Sequence, residues 1–279
     1  MRIEKASEIG FCTGVRRAIN MIEKAAGEMG SLQTLGPVVH NQQVVDRLAS
    51  RGVTVADSLD QLERDILCIS SHGVGPQVIE QAESRGIRII DTTCPFVRRA
   101  QGAAKKLANA GFSVVVFGDE NHREVQGVLG YAGEKGLATV NVPPFKKLSP
   151  RVGILSQTTQ SFTAFHSFVS LFIEEHLERI AELRVINTIC DATRKRQEAA
   201  LELAKRSDVM LVVGSRGSAN TKRLAELCSA IVETHHIETA REIDRAWLAK
   251  GVKRVGITAG ASTPDEVIAE VVSRLDEMK

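Results

Sequence analysis

The chain has 279 residues, 43% of them hydrophobic, and a formal net charge of +2. That is apolar material for a large core or several small ones, and too little charge to point to nucleic acid or an anionic membrane as a main partner. One Trp and one Tyr leave little for stacking on bases, no apolar run approaches the roughly 20 residues of a membrane span, and the segment from Met1 to Ala6 has no signal-peptide core, so a cytoplasmic protein is expected.

Taken in chain order, the predicted elements repeat. Cys12 stands before a helix over 15–28, and a strand over 32–36 follows. The polar turn Gly36-Pro-Val-Val-His-Asn41 leads into a second helix. A strand over 66–70 then ends in Ser70-Ser-His-Gly73, with Pro76 where a first helical residue belongs. From Cys94 the order recurs, with a helix over 97–109, a strand over 113–118 and the turn Gly118-Asp-Glu-Asn-His-Arg-Glu124. A Pro-rich connector over 140–150, read as a surface loop, precedes a strand over 152–156 and the turn Ser156-Gln-Thr-Thr159. From Cys190 it recurs once more, with a helix over 193–206, a strand over 209–214 and the turn Gly214-Ser-Arg-Gly-Ser-Ala-Asn220. A strand over 255–258, the turn Thr258-Ala-Gly-Ala-Ser262 and Pro264 complete it. Short apolar strands alternating with helices mean βα units and mostly parallel sheets, about three units per repeat. Three separate sheets or one large doubly wound sheet would satisfy this. The expected domains are 1–94, 95–189 and 190–279.

The cysteine segments match in detail. They read Cys12-Thr-Gly-Val-Arg-Arg-Ala18, Cys94-Pro-Phe-Val-Arg-Arg-Ala100 and Cys190-Asp-Ala-Thr-Arg-Lys-Arg196, with Val or Thr at +3, Arg at +4 and Arg or Lys at +5. Three thiols on equivalent helix starts meet only if the repeats pack about an axis, and a metal centre is the usual occupant of such a point. Five widely spaced cysteines do not read as a disulfide framework. Cys68, inside a predicted strand, and Cys228, inside a predicted helix, read as small core residues. Structural zinc prefers four ligands in close sequence pairs, and no C-x-x-C is present. A three-thiolate iron–sulfur cluster with one open iron is expected instead.

Ligands of open parallel sheets bind beyond the strands' carboxyl ends, where helix N-termini offer unpaired N–H groups and partial positive charge. The three cysteines fall there, with His40, His72, His122, Glu124, Thr158, Thr159, Ser218, Asn220 and Ser262. Polar side chains with few carboxylates favour an anion, and a diphosphate fits. His166, His176, His235 and His236 lie outside these turns and read as surface or capping residues. The Arg and Lys after each Cys offset cluster charge or form a solvated helix face. Gly73-Val-Gly75 has Val78 where a dinucleotide fingerprint needs its third Gly, and reads as a turn.

Along essentially its whole length the chain resembles the 4-hydroxy-3-methylbut-2-enyl diphosphate reductase (LytB/IspH) family. The resemblance rests on Gly10-Phe-Cys-Thr-Gly-Val-Arg-Arg-Ala18, Val38-Val-His-Asn41, Ser71-His-Gly-Val74, Asp91-Thr-Thr-Cys-Pro95, Gln157-Thr-Thr159, Thr188-Ile-Cys-Asp-Ala-Thr-Arg-Lys-Arg-Gln-Glu198, Val213-Gly-Ser215 and Thr258-Ala-Gly-Ala-Ser262. It implies three similar α/β domains with mostly parallel sheets around one [4Fe-4S] cluster. It implies reductive removal of an allylic hydroxyl, giving isopentenyl and dimethylallyl diphosphates in the non-mevalonate isoprenoid route. Carried over by position, Cys12, Cys94 and Cys190 would ligate the cluster. His40, His72, His122, Ser218, Asn220 and Ser262 would hold the diphosphate, with a backbone N–H from Ala219. Glu124 would deliver a proton, and Thr158 would bond the substrate hydroxyl or relay its proton. An external one-electron donor of ferredoxin or flavodoxin type would be the protein partner. The chain departs from the family pattern at Arg123, where a Pro is common, and at Ala219, where a Ser is common. The rival readings are a non-catalytic iron–sulfur sensor or electron carrier and a zinc-dependent phosphoester hydrolase.

Overall fold

A computed structural model of the chain describes residues 1–248 and 251–278. In chain order its strands and helices are β1 (Arg2–Lys5), α1 (Thr13–Met29), β2 (Leu32–Leu35), α2 (Gln42–Ala49), β3 (Val53–Ala56), β4 (Ile66–Ile69), α3 (Pro76–Ser84), β5 (Arg88–Asp91) and α4 (Pro95–Asn109). There follow β6 (Ser113–Phe117), α5 (Arg123–Ala132), β7 (Gly136–Thr139), β8 (Arg151–Ser156), α6 (Phe162–His176), β9 (Glu182–Ile186) and α7 (Asp191–Ala204). The last are β10 (Val209–Val213), α8 (Ala219–Ser229), β11 (Thr234–Ile237), β12 (Arg254–Ala259) and α9 (Asp265–Asp276). The predicted cysteine helices and paired strands are all present, with ends within two residues. Pro76 opens α3, whereas Pro264 sits one position earlier, at the N-cap of α9.

The strands form three four-stranded sheets, β3-β2-β4-β5, β7-β6-β8-β9 and β1-β12-β10-β11, and every pairing is parallel. The single doubly wound sheet is thereby excluded. Each sheet has four strands rather than the three βα units expected, because the outer strands carry little apolar signal. β10 (Val-Met-Leu-Val-Val) is buried along its whole length, as suits a parallel strand covered on both faces. β9 (Glu-Leu-Arg-Val-Ile) is half exposed.

The order is the same in all three sheets. The strand immediately before each cysteine forms an edge: β5 before Cys94, β9 before Cys190 and β1 before Cys12. For β1 the partner is β12, with Arg2 opposite Arg254 and Lys5 opposite Ile257. The first strand of the chain therefore completes the last sheet.

The chain divides into two compact units. One consists of Met1–Arg16, Val39–Arg47 and Asp191–Lys279, and the other of Arg17–Val38 and Leu48–Cys190. The first holds the sheet of β1, β10, β11 and β12, whose core includes Leu211, Val213, Val255, Ile257, Val271 and Leu275. The second holds the other two sheets. One face of β6 and β8 packs Phe112, Val114, Val116 and Leu155 under α4 and α5, and the other packs Phe117, Ile154, Phe165, Phe168 and Phe172 under α6. Truncating a fully buried Phe such as Phe172 would cost about 3–5 kcal/mol. The 140–150 connector is a loop with a single 3₁₀ turn at Phe145–Lys147. It is anchored by buried His176, which lies 2.8 Å from the Pro143 carbonyl through Nε2. Among the described residues no helix is long and apolar enough to cross a membrane.

Candidate active site

All three repeat cysteines stand at one structural position, the residue before the first turn of α1, α4 or α7. The backbone fixes them alike. The Cys94 N–H donates to the Ser71 carbonyl at 3.0 Å, that of Cys190 to Thr158 at 3.0 Å, and that of Cys12 to Ala261 at 3.2 Å. Ser71, Thr158 and Ala261 each lie two residues beyond the end of a central strand (β4, β8 and β12). The Arg98 and Arg16 N–H groups return to the Cys94 and Cys12 carbonyls at 2.9 Å, and the Val15 N–H points to the Cys12 Sγ at 3.4 Å. These three thiols are partly exposed, whereas Cys68 and Cys228 are fully buried. Burial pushes the Cys68 thiol up to about 12 and the Cys228 thiol to about 11. Metal binding needs a thiolate, so these two are unsuited to it.

In the second unit, the carboxyl ends of β4, β6 and β8 carry His72, His122, Glu124 and Thr158. His122 caps α5, with its Nδ1 accepting the Glu124 N–H at 3.2 Å. A neutral His122 therefore keeps its proton on Nε2. The His72 and His122 rings meet edge to face with centroids 5.5 Å apart, and His72 Nδ1 lies 3.4 Å from the Ser70 hydroxyl. Glu124 is only 2% exposed. Its Oε1 accepts the Thr158 N–H at 2.7 Å and its Oε2 the Thr158 hydroxyl at 2.8 Å. Desolvation raises its pKa above the ordinary carboxyl value, and the two Thr158 bonds partly oppose this. Thr158 thus joins two chemistries through one residue, with its N–H on Glu124 and its carbonyl on Cys190. Thr159 follows in the same turn and is half-buried.

In the first unit, His40 precedes Asn41, whose Oδ1 accepts the Val44 N–H at 3.1 Å and caps α2. A Cβ placed on Gly217 would stand 3.9 Å from the His40 Cβ and Nδ1, so the turn before α8 lies beside this histidine. Ser218 caps α8, accepting the Thr221 N–H at 3.4 Å, and Ala219 is its first residue. Asn220 is 4% exposed, and both ends of its amide are buried with no hydrogen-bond partner among the described residues. The hydroxyls of Ser262, Thr221 and Thr258 are in the same condition. Groups of this kind are costly unless something hydrogen-bonds them, and two of them, Asn220 and Thr221, lie in the first turn of α8, where anions bind.

Sequence reasoning missed three contributors. Thr221 and Thr258 sit within a helix and a strand, where a hydroxyl gives no signal. Gln157 lies in a quoted motif but received no role. It is 1% exposed, its Oε1 accepts the Asp119 N–H at 3.2 Å, and its Nε2 is unpartnered among the described residues. At Arg123, where the family pattern favours Pro, α5 still begins on schedule. The guanidinium lies over Gly36 (φ +72), where a Cβ would come within 1.9 Å of Nη1, and pairs with Asp57 at 3.5 Å.

The sequence model of the LytB protein family matches residues 3–276. The chain belongs to the LytB family. A 4-hydroxy-3-methylbut-2-enyl diphosphate reductase of Dehalococcoides mccartyi (strain CBDB1) is 53% identical over 281 residues, covering 100% of this chain and 99% of the relative. One of Geobacter sulfurreducens is 46% identical, covering 99% and 98%. Among solved structures, one titled as (E)-4-hydroxy-3-methyl-but-2-enyl diphosphate reductase, the terminal enzyme of the non-mevalonate pathway, superposes with a TM-score of 0.73 at 39% identity. It covers 99% of this chain and 100% of that one. The E-1-hydroxy-2-methyl-but-2-enyl-4-diphosphate reductase of Plasmodium falciparum superposes with a TM-score of 0.89 at 28% identity, over 97% of this chain and 86% of that one. LytB membership and the α/β architecture both agree with the reading of the sequence.

Proposed function

We propose that this chain reductively removes the allylic hydroxyl of 4-hydroxy-3-methylbut-2-enyl diphosphate, giving isopentenyl and dimethylallyl diphosphates, with the residues described above as its machinery. Its family and its relatives, half identical along the full length, make it a 4-hydroxy-3-methylbut-2-enyl diphosphate reductase, the oxidoreductase that ends the non-mevalonate pathway. The residue roles are our assignment. The observation that carries them is the Thr158 link, in which a buried acid and a candidate metal ligand are held by the backbone N–H and the backbone carbonyl of one residue.

Cys12, Cys94 and Cys190 would hold one [4Fe-4S] cluster. Their equivalent backbone positions and partial exposure fit that role, and three thiolates leave one iron open. When bound, the cluster supplies electrons and an electrophilic iron toward the substrate oxygen. Overall, R–OH, two electrons and two protons give R–H and water. Glu124, whose pKa burial raises, gives one proton to the departing oxygen by way of the Thr158 hydroxyl. The first turn of α8, with Ser218, the Ala219 N–H and Asn220, binds the diphosphate together with His40, His72, His122 and Ser262. The unpartnered amide of Asn220 and hydroxyl of Ser262 support this assignment.

Electrons come from a separate ferredoxin- or flavodoxin-type donor. Gly73 and Gly75 lie in the β4–α3 turn without the third glycine of a dinucleotide site. The test is anaerobic reconstitution with iron and sulfide analysis, followed by turnover with a reduced ferredoxin or with NADPH alone. One cluster per chain and turnover with ferredoxin only is the expected result. A zinc-loaded protein without iron, or turnover on NADPH as sole reductant, would refute the scheme.

A further inference from the structure

The helix after each cysteine sends an arginine to the turn before another cysteine, and the three reaches run in cyclic order. Arg17, five residues after Cys12, donates from Nη1 to the carbonyl of Thr93, the residue before Cys94, at 3.4 Å. Arg99, five residues after Cys94, donates from Nη2 to the carbonyl of Asn187, three residues before Cys190, at 3.2 Å. Arg196, six residues after Cys190, donates from Nη2 to the carbonyl of Gly10, two residues before Cys12, at 2.8 Å. Arg17 and Arg99 are exposed. Arg196 is 3% exposed, and its Nη1 also donates to the Ala192 carbonyl at 3.1 Å.

The turns differ in a way that matches this difference in burial. Asp91, three residues before Cys94, accepts the Thr93 N–H through Oδ1 at 2.8 Å. Asn187, three before Cys190, accepts the Ile189 N–H through Oδ1 at 3.0 Å. Both turns are thus folded by their own side chains. The corresponding residue before Cys12 is Ile9, which has no such group, and the chain instead passes through Gly10 at φ +75. The buried Arg196 guanidinium, with one prong on the Gly10 carbonyl and the other on its own helix at Ala192, secures the turn that, among the described residues, lacks a local side-chain hydrogen bond.

We propose that Arg196 is a positioning residue for Cys12, and that Arg17 and Arg99 act likewise, more weakly, on Cys94 and Cys190. Each braces the backbone ahead of a thiolate, so that the thiols are set before the cluster is inserted and hold it afterwards. This rests on the three cysteines being the cluster ligands. It gives these arginines a role that neither charge compensation nor a solvated helix face describes.

The test is anaerobic iron release to a chelator from reconstituted wild type, Arg196→Gln, Arg196→Lys and Arg99→Gln. Exposed Lys24, paired with Glu28, supplies the control Lys24→Gln. Removing a group that orients a metal ligand typically costs about 10–100-fold in metal affinity, so Arg196→Gln should release iron at least about tenfold faster. Arg196→Lys should recover part of this, since one ammonium reproduces the guanidinium fork poorly. The low-temperature electron paramagnetic resonance signal of the reduced cluster should change in Arg196→Gln and stay unchanged in the control. Should Arg196→Gln fail to fold, exposed Arg99→Gln carries the test, with faster release supporting the proposal and a wild-type rate overturning it. Wild-type release from every loaded arginine variant overturns it and leaves the cluster assignment standing. A wild type that assembles no cluster overturns both.

Discussion

Thr158 gives both of its donors to Glu124, its N–H to Oε1 at 2.7 Å and its hydroxyl to Oε2 at 2.8 Å. A first-turn glutamate serving only the helix dipole would lie at the surface, paired with water. This one lies 2% exposed and spends its oxygens on a turn that also holds a cysteine.

Glu124→Gln keeps shape and most hydrogen bonding but has no proton to release. It should leave iron content and substrate affinity near wild type while lowering turnover by roughly 10²-fold or more. Steady-state kinetics beside calorimetric binding checks this, and wild-type turnover would make Glu124 a structural cap.

The same burial makes a stability prediction. Because the folded-state pKa of Glu124 is raised, the folded protein holds its proton more tightly than the unfolded chain does. That stability is fully present below the ordinary carboxyl value and is lost as pH rises through the raised value. Denaturant unfolding of wild type and Glu124→Gln, run side by side, should show the variant gaining on wild type by up to about 1.4 kcal/mol per pH unit in that window, then levelling off. A gap independent of pH would contradict the raised value.

Cys12→Ala, Cys94→Ala and Cys190→Ala should each prevent stable cluster assembly, whereas Cys68→Ala and Cys228→Ala should not. Iron per chain after anaerobic reconstitution is the measurement. Full iron in all three of the first group would end the assignment.

Asn220 offers a trade between stability and binding. Its buried amide lacks partners among the described residues, and such a group costs about 1–3 kcal/mol. Asn220→Leu should therefore raise the unfolding midpoint of the substrate-free protein. It should also weaken diphosphate binding by about tenfold or more, since a hydrogen bond to a charged group is worth about 1.5–3 kcal/mol. His40→Ala should weaken binding without the gain in stability, and the unphosphorylated diol should bind wild type far more weakly than its diphosphate. Equal affinity for diol and diphosphate in calorimetry would remove these residues from the binding role.

The central strands and the cysteine helices were legible because each is a local pattern. An apolar run ending in Gly gives β2, β6 or β10, and a Cys before an apolar helical stripe gives α1, α4 or α7. The edge strands were not, because a strand such as Val53-Thr-Val-Ala exposes its middle and carries no run. The placement of β1 beside β12 was invisible for another reason, since it pairs residues from opposite ends of the chain and no local preference encodes that. Site residues in turns could be named from position alone. Unpartnered Thr221 and Thr258 could not, because a missing hydrogen bond exists only in three dimensions.

The pairing of β1 with β12 also sets a clock. Cys12 emerges from the ribosome long before its partners, for the carbonyl that fixes its N–H belongs to Ala261 and the strand beside β1 to residues 254–259. Until those residues have been synthesised, the earliest of the three repeat thiols has no defined seat. On the proposed assignment, a three-cysteine cluster would be seated only once those residues have emerged, and a product terminated before them, however well its middle sheets fold, would leave that seat unmade.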